Sequence, residues 1–379
     1  MKSLAKGIYL LKGALQHYAW GGNYFIATLL NLKERTNKPI AEFWLGIHKR
    51  GEAKIEVDGS WQLLSDFVKV PYLFKILDVQ NMLSIQSHPN KKQAAIGFAN
   101  EEAKGIAIDA KNRVFKDDNH KPELMVALSD FWLLHGFQSI ESIRKIINKT
   151  AEFKLLFDKA TSIEAFYTYL MRLSNEAIEA ILKPLKERLT KENPSDKNYP
   201  DYWAMKAFND YGYDKGIFSL YFYNLVYLKK GEAIYQEAGI PHAYLEGQNV
   251  EIMANSDNVF RAGLTPKHID IDLLLNHLSF EAVMPTIIRA TSINKHESVY
   301  KSVAQEFELQ WIELAEESIK NQASTNEVYF VLEGKAIVKA GENKIELDKG
   351  ESIFCNFEGE MLIKSKQNAT IVKATIPSN

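Results

Sequence analysis

The sequence predicts a mainly β protein with an α insertion, built as two jelly-roll barrels plus a helical domain. Three observations carry this. Most of the chain alternates short apolar runs with Gly, Asn, Asp and Pro, the pattern of strands joined by turns. Between Ser139 and about Tyr211 the apolar spacing changes to a helical period. And Leu228-Lys229-Lys230-Gly231-Glu232-Ala233-Ile234-Tyr235 is echoed by Leu347-Asp348-Lys349-Gly350-Glu351-Ser352-Ile353-Phe354. Both copies read as strand, tight Gly turn, strand, the repeated unit of a jelly roll.

In chain order, Ile8 to about Leu134 reads as strands, with Pro71 to Leu77 and Leu124 to His135 the clearest runs. One helix is expected among them, from Lys91 to Lys104, with Ala94, Ala95, Phe98 and Ala99 on its apolar face. The helical stretch follows, its stripes drawn by Ile140, Ile143, Ile146 and Ile147 and then by Ile178, Ile181, Leu182 and Leu185. Thr161-Ser162-Ile163-Glu164 reads as a capping box, and Lys191 to Pro200, with two prolines, as an exposed loop. From Gly216 the strands resume, the run to Leu228 reading as core strand. The expected division is therefore 1–135 and 216–280 as two parts of a catalytic barrel, 136–215 as the helical insertion, and 281–379 as a C-terminal barrel. Carried forward, the offset of the echo sets Met361 opposite His242, so the second barrel lacks a metal-competent residue and is read as structural.

Composition narrows the function classes. A chain of 379 residues, 46% hydrophobic and 11% aromatic, is long enough for two or three cores. Its 46 basic and 48 acidic residues nearly cancel, so no global field draws nucleic acid or an anionic membrane, and a small substrate is expected. The longest weakly polar run, Gly216 to Leu228, falls short of the roughly 20 residues of a membrane helix. Lys2, Lys6 and Lys12 break the N-terminal apolar pieces, which argues against secretion, and the single Cys355 fits a reducing cytoplasm and a core position. No feature signals a protein partner.

The chemistry concentrates in a few segments. Gly239-Ile240-Pro241-His242-Ala243-Tyr244 and the run from Glu251 to Lys267 join a metal-competent His, a carboxylate, the amide-rich turn Asn255 to Asn258 and Arg261 to much apolar packing. Burying such polar groups is costly unless they are paired or bound, so this reads as the wall of a site. In Ser84-Ile85-Gln86-Ser87-His88-Pro89 a period of two aims Ser84, Gln86 and His88 to one face. In Asn119-His120-Lys121-Pro122-Glu123 it aligns Lys121 with Glu123 and turns His120 away. Gln86, His88, Glu123 and His242 make a mixed N/O set suited to zinc. Against this stand plainer readings, with Gln86 a satisfied core amide and Glu123 simply paired with Lys121. The other histidines, His17, His48, His120, His135, His268, His277 and His296, are alternative ligands that spacing does not exclude; most are read as structural, with His120 the nearest rival. Arg261 is a candidate for an anionic substrate or a developing oxyanion, or else for a salt bridge to Asp257, and Lys75 and Lys267 are candidate phosphate partners. Neither a Walker-type loop nor a GxGxxG is present.

Together Tyr18-Ala19-Trp20-Gly21, Ala41-Glu42-Phe43-Trp44, Leu73-Phe74-Lys75-Ile76-Leu77, Ser84 to Asn90, Asn119 to Glu123 and Gly239 to Asp270 resemble, in order, the sequence blocks of the type I mannose-6-phosphate isomerases, zinc enzymes of the cupin superfamily. The resemblance implies cupin-like barrels, one zinc ion per chain, and Gln86, His88, Glu123 and His242 as its ligands. It implies Arg261, Lys121 and Glu251 as catalytic residues and Ser84, Lys75, Lys267, Asp257 and Tyr244 as polar groups around a sugar phosphate. The sequence departs from the family pattern at Glu237 and in the loop His48-Lys49-Arg50-Gly51, neither of which touches a ligand.

The implied reaction is the interconversion of mannose 6-phosphate and fructose 6-phosphate through an enediol, serving glycolysis or nucleotide-sugar synthesis. A zinc ion and Arg261 would both stabilise the charge developing on its oxygens. Lys121, whose neutral form a nearby cation favours, is a plausible base; Glu251 and a water on the metal are its rivals. Two other readings compete. Two His and one carboxylate also describe a metal-dependent cupin oxygenase, against which Gln86 argues as a fourth ligand. A non-catalytic sugar-phosphate-binding cupin would leave Lys121, Glu123 and Arg261 without a purpose.

Overall fold

The computed structural model describes residues 1–33, 38–110 and 112–377. The protein is mainly β, with two large sheets and a helical region set against one end of the first. In the first sheet, strand His242–Ala254 lies between Glu123–Ala127 and Tyr72–Val79, all antiparallel. Beyond them come Glu232–Gln236 on one side and Glu42–Gly46 on the other. The long strand is bent near Gly247, whose φ is +131°. Its second half pairs as described, while its first half pairs with Phe131–Phe137 and touches Ile85–Ser87. A bulge of this kind lets one strand serve two stretches of sheet, carrying His242 to a cluster with His88 and Glu123 and Glu251 to the cavity that Glu123 also lines.

The second sheet is formed by the C-terminal strands, with Ser318–Glu333 between Ser352–Lys364 and Asn368–Thr375. Pairing departs here from the expected division. Strands Gly7–Lys12, Lys54–Val57 and Ser60–Leu63 join this sheet, through Gly7–Lys12 against Ser352–Lys364. Local apolar alternation assigns a segment to a strand without naming its partner, and pairing between distant segments is invisible to it. The two sheets share one core, in which Phe74, Ile76 and Ile252 of the first meet Phe330, Phe354 and Val372 of the second. Tyr72 spans the junction, its hydroxyl donating to the carbonyls of Asn326 at 2.6 Å and Ala374 at 3.0 Å.

The echoed segments have matching turns. Gly231 and Gly350 have φ of +85° and +86°. In each turn the residue after the glycine donates its N–H to the residue two before it, Glu232 to Lys229 at 2.9 Å and Glu351 to Asp348 at 3.0 Å. Both acidic side chains then reach back to that second residue's N–H, at 3.0 and 2.8 Å.

Helices occupy the expected stretch, with Ile140–Lys149, Ile163–Met171, Asn175–Glu192 and Pro200–Tyr211 packed around Trp203, Phe153 and Phe222. Helix Asn175–Glu192 contains Pro184, which costs about 3 kcal/mol in a helix interior. Its buried Ile178, Ile181, Leu182, Leu185 and Leu189, at about 1.5–3 kcal/mol each, outweigh that. The helix expected near Lys91 spans Lys91–Ala103, but it buries Ala94 and Gly97 while Ala95 and Ala99 are exposed, because the Phe115 ring packs on Gly97. Its start is the capping box, with Asn90 and Gln93 exchanging bonds. At the segment expected to hold one, the cap is Ser162 alone, bonded to the Ala165 N–H. The run read as core strand is half helix. Gly216–Phe222 is helical and Tyr223–Leu228 is strand, the helix being buried at every position, where apolar periodicity cannot tell the two apart.

Candidate active site and metal centre

Three strands bring the chemistry together. His88 follows Ile85–Ser87, Glu123 opens Glu123–Ala127, and His242 opens the long strand. His88 and His242 are fully buried and Glu123 nearly so. His88 Nε2 lies 3.6 Å from Glu123 Oε1, and His242 Nε2 lies 3.4 Å from Glu123 Oε2. One ligand atom from each of the three lies within 4.8 Å of the others, the one such cluster among the described residues.

The ligand atoms are prepared for a cation. His88 Nδ1 meets the Asn258 carbonyl at 2.7 Å and His242 Nδ1 meets the Ile240 carbonyl at 3.0 Å, so each Nδ1 carries the proton and each Nε2 a free lone pair. His88 Nε2, His242 Nε2 and Glu123 Oε2 are buried without a hydrogen-bond partner among the described residues. Three converging unsatisfied donors of electron pairs are costly unless something fills the gap between them. Two imidazole nitrogens and a carboxylate oxygen within 4.8 Å of one another are close enough to share one ion, and the mixed N/O set is one that zinc takes. Burial, reinforced by the Lys121 ammonium, pushes the His88 imidazole down to about 4, so it is neutral and able to ligate near pH 7. Burial alone would raise the Glu123 carboxyl, but Lys121 and the two imidazoles override it and hold it well below its ordinary value. Gln86 lines the adjoining cavity, and its backbone is paired with His242 on one side and Arg261 on the other.

That cavity, of about 1030 Å³, gathers the remaining candidates Ser84, Lys121, Tyr244, Glu251, Asp257 and Arg261, together with Lys75 and Lys267. Lys121 Nζ is 2.9 Å from Glu123 Oε1, so the plain ion pair is made on the same face as the ligands. Lys75 is committed to carboxylates, with Nζ 3.0 Å from Glu251 Oε1 and 3.7 Å from Glu42 Oε2. Burial would lower its pKa, yet Glu251, Glu42 and Glu123 hold it above the usual lysine value. Glu251 uses its other oxygen to accept from the Tyr244 hydroxyl at 2.8 Å, and burial raises its carboxyl. Glu42 accepts from Trp44 Nε1, which places the ammonium over the Trp44 ring at 5.6 Å.

The salt bridge from Arg261 to Asp257 is not formed. Asp257 instead takes Arg50 Nη2 at 2.6 Å, His48 Nε2 at 3.1 Å and Lys49 Nζ at 3.6 Å. Burial opposes its ionisation, but His48 and Arg50 hold its carboxyl far below the ordinary range. Arg261 and Lys267 have no side-chain hydrogen bond or ion pair among the described residues. Burial lowers the pKa of both, with Arg50 adding to it at Arg261, and Arg261 and Arg50 at Lys267. Two unmatched cations share one end of the cavity, a field that suits an anion.

Sequence reasoning passed over three things. The loop with His48 and Arg50 is the partner of Asp257. Behind the metal ligands, His135 Nδ1 meets Gln236 Oε1 at 2.7 Å, beside His242 in register. And Asn258 and Asp117 tie the loop before Lys121 to the turn after Ala254. Asn258 Nδ2 donates to the carbonyls of Asp117 and Asn119 at 2.8 and 2.9 Å, and Asp117 accepts from Ser256 Oγ and Asp257 N at 2.7 Å. Only the amide-rich composition of Asn255 to Asn258 pointed there. His120 faces away as expected, bonded to Glu306 at 2.6 Å.

Comparison with known proteins decides the family. Residues 8–140 match the family model of the type I phosphomannose isomerase catalytic domain. Over 371 residues the chain is 33% identical to a mannose-6-phosphate isomerase of Salmonella typhimurium, covering 91% of this chain and 93% of that one. The chain belongs to the type I phosphomannose isomerase family. A human mannose-6-phosphate isomerase is 35% identical over 323 residues, covering 73% of this chain and 74% of its own length. Among solved phosphomannose isomerases, the S. typhimurium structure bound to its substrate and a zinc atom is 29% identical and superposes with a TM-score of 0.88, covering 98% of this chain and all of that one. A second, bound with zinc and yttrium, superposes at 0.87 over 98% of this chain. The match of the phosphomannose isomerase catalytic domain includes Gln86, His88, Lys121 and Glu123.

Proposed function

We propose that this chain is a mannose-6-phosphate isomerase, interconverting mannose 6-phosphate and fructose 6-phosphate through an enediol with one zinc ion per chain. The observation that carries this is the convergence of the unpaired His88 Nε2, Glu123 Oε2 and His242 Nε2 beside a cavity that also presents Lys121 and an unpaired Arg261. Gln86, on the same wall, is the fourth ligand of the set. Zinc held there supplies a Lewis acid that polarises the sugar oxygens, since two neutral imidazoles and one carboxylate leave it a net positive charge.

The chain's own residues do the rest. Arg261 adds a fixed charge where the enediol oxygens develop theirs. Lys267, with Ser84, faces the phosphate, and Asp257 fixes Arg50 at the rim. Lys75 serves as the anchor of Glu251, not as a phosphate ligand, because two carboxylates already match its charge. The proton must leave C2 of the aldose and arrive at C1 of the ketose. Glu251 has both oxygens engaged by Lys75 and Tyr244, so Lys121 is the better placed of the two side chains to carry it.

Each sheet is read as a jelly-roll barrel, the first catalytic and the second structural, with 136–215 inserted between the two parts of the first. The division is 1–135 and 216–280 against 281–379, with 7–12 and 54–63 assigned to the second barrel and 288–289 to the first by their pairing. Register supports the repeat. Glu123 stands opposite Gln236 as Glu327 stands opposite Cys355, by the same offset that relates Gly231 to Gly350. Glu327 accepts from Lys373 at 2.8 Å and from Thr375 at 3.0 Å, so its charge is matched by the protein itself, and by the same offset Met361 stands where the first barrel has His242. No described helix is long and apolar enough to cross a membrane, and the buried, unpaired Cys355 favours a cytoplasmic setting.

The test is fructose 6-phosphate formation from mannose 6-phosphate by protein as isolated, after chelation and after zinc is restored. Activity that vanishes and returns with zinc supports the assignment. Folded, zinc-loaded protein without activity removes the substrate assignment.

A further inference from the structure

The helical insertion touches the loop that carries Arg261 and Lys267, and the contact is backbone on backbone. Asp214 lies between helices Pro200–Tyr211 and Gly216–Phe222. Its Oδ1 accepts two N–H groups, from Gly216 at 2.6 Å and from Leu264 at 2.8 Å. Asp214 itself belongs to the insertion and Leu264 to the active-site loop, so one oxygen ties the two together. A Cβ on Gly263 would lie 2.5 Å from Gly216 Cα, and one on Gly216 would lie 2.6 Å from Leu264 N. Only paired glycines allow the two backbones to come this close.

The tied turn is strained. Leu264 has φ of +51°, a left-handed conformation that a leucine seldom adopts, and its side chain is only 1% exposed in the helical core. Such a conformation persists only where its surroundings over-determine it. Three residues before it is Arg261 and three after it is Lys267, both desolvated, each without an ion-pair partner among the described residues, and the second repelled by the first. Left free, the turn would relax and the two cations would move apart. Asp214 gives its carboxylate to backbone N–H groups, which leaves both cations uncompensated for an incoming anion. Nothing in the local sequence around Asp214 marks it for this.

We propose that Asp214 is a positioning residue: by accepting the N–H groups of Gly216 and Leu264 it holds the strained turn that sets Arg261 and Lys267 for the phosphate of the substrate. The helical insertion thereby has a part in binding, although Asp214 itself touches no substrate. The proposal rests on the sugar-phosphate isomerase reading for the identity of the ligand.

The experiment compares zinc-loaded wild type with Asp214→Asn, Asp214→Glu and Asp214→Ala, measuring kcat and KM for mannose 6-phosphate, zinc content, and the rise in thermal midpoint caused by inorganic phosphate. Asn keeps the accepting oxygen. Glu keeps the charge but displaces it by a methylene, so it tests the geometry even if the Ala variant does not fold. The expected result is a KM raised at least about tenfold in the Glu and Ala variants with full zinc content, a smaller change in kcat, a lost phosphate effect, and values near wild type for Asn. A lowered thermal midpoint with unchanged KM in the Glu variant would overturn the proposal, as would an Asn variant as impaired as the Glu variant. If wild type fails to isomerise mannose 6-phosphate yet shows a phosphate effect that the Glu variant loses, the reaction assignment falls and the positioning role stands.

Discussion

Lys75 is the clearest place to test whether buried charge holds this active site together. Its ammonium lies 3.0 Å from Glu251 Oε1 and 3.7 Å from Glu42 Oε2, with all three groups buried. At an effective dielectric constant of about 20 those separations correspond to gross attractions of about 5.5 and 4.5 kcal/mol. Desolvation of the ammonium and repulsion between the carboxylates offset most of that, and removing one partner of such a group typically costs about 3–5 kcal/mol. Lys75→Met should therefore destabilise the zinc-loaded protein by about that amount at pH 8. The loss should shrink in acid. Burial already raises the Glu251 carboxyl, and without Lys75 it rises further. A carboxyl whose folded pKa exceeds its unfolded value stabilises the folded state at low pH and loses that contribution as pH rises through the folded pKa. The deficit of Lys75→Met should thus grow between about pH 5 and 8. Adding Glu251→Gln should recover part of it, by about 1–3 kcal/mol of coupling. Urea midpoints for the four members of this cycle, followed by circular dichroism at several pH values, give the answer. Simple additivity, or a deficit flat across that range, would refute the reasoning.

Lys121→Ala should abolish turnover while zinc, measured by elemental analysis, stays at one per chain; loss of zinc would make Lys121 a support of Glu123 instead. Asn258→Ala removes side-chain bonds that hold the loop before Lys121 and adjoin the carbonyl receiving His88 Nδ1, so zinc affinity by competition with a chromogenic chelator should fall about 10–100-fold. In the metal-free protein His88 and His135 are both pushed down to about 4, chiefly by burial. A histidine with a depressed folded pKa leaves the unfolded state as the better proton acceptor, so stability is full above about pH 6.5 and is lost as pH falls toward 4, by about 3 kcal/mol for each. Thermal midpoints of chelated protein across that range check this, and a flat profile would contradict it.

Part of the candidate metal cluster is legible in the sequence, because strand geometry turns spacing into direction. A period of two aligns Lys121 with Glu123 and turns His120 away; the first two do pair, and His120 does bond elsewhere. The partners of the buried charges are not legible. Lys75 and Glu251 are 176 positions apart, and Arg50 and Asp257 are 207 apart, so no local pattern joins them. For want of that information, the near neighbour Asp257 is the ion-pair partner that the sequence offers Arg261. Helix Gly216–Phe222 is hidden for a different reason, since a segment buried on all sides has no polar face to reveal its period.

The position of strand Gly7–Lys12 bears on how the molecule is made. It is held between Lys54–Val57 and Ser352–Lys364, with Gly7 opposite Asn356 and Leu11 opposite Ser352. A ribosome releases Gly7 well before Asn356, which lies hundreds of residues further along the chain. The strands of the first sheet are all available once Arg289 has emerged, so that sheet can close while synthesis continues. Strand Gly7–Lys12 and the hairpin of Lys54–Val57 with Ser60–Leu63 cannot. Until Ser352–Lys364 arrives they present an unpaired edge, the kind of surface on which nascent chains associate wrongly and chaperones act. Shortening the chain before Ser352 would leave that edge permanently open, although His88, Glu123 and His242 would still be present. A strand made early must wait for one made much later before it can pair.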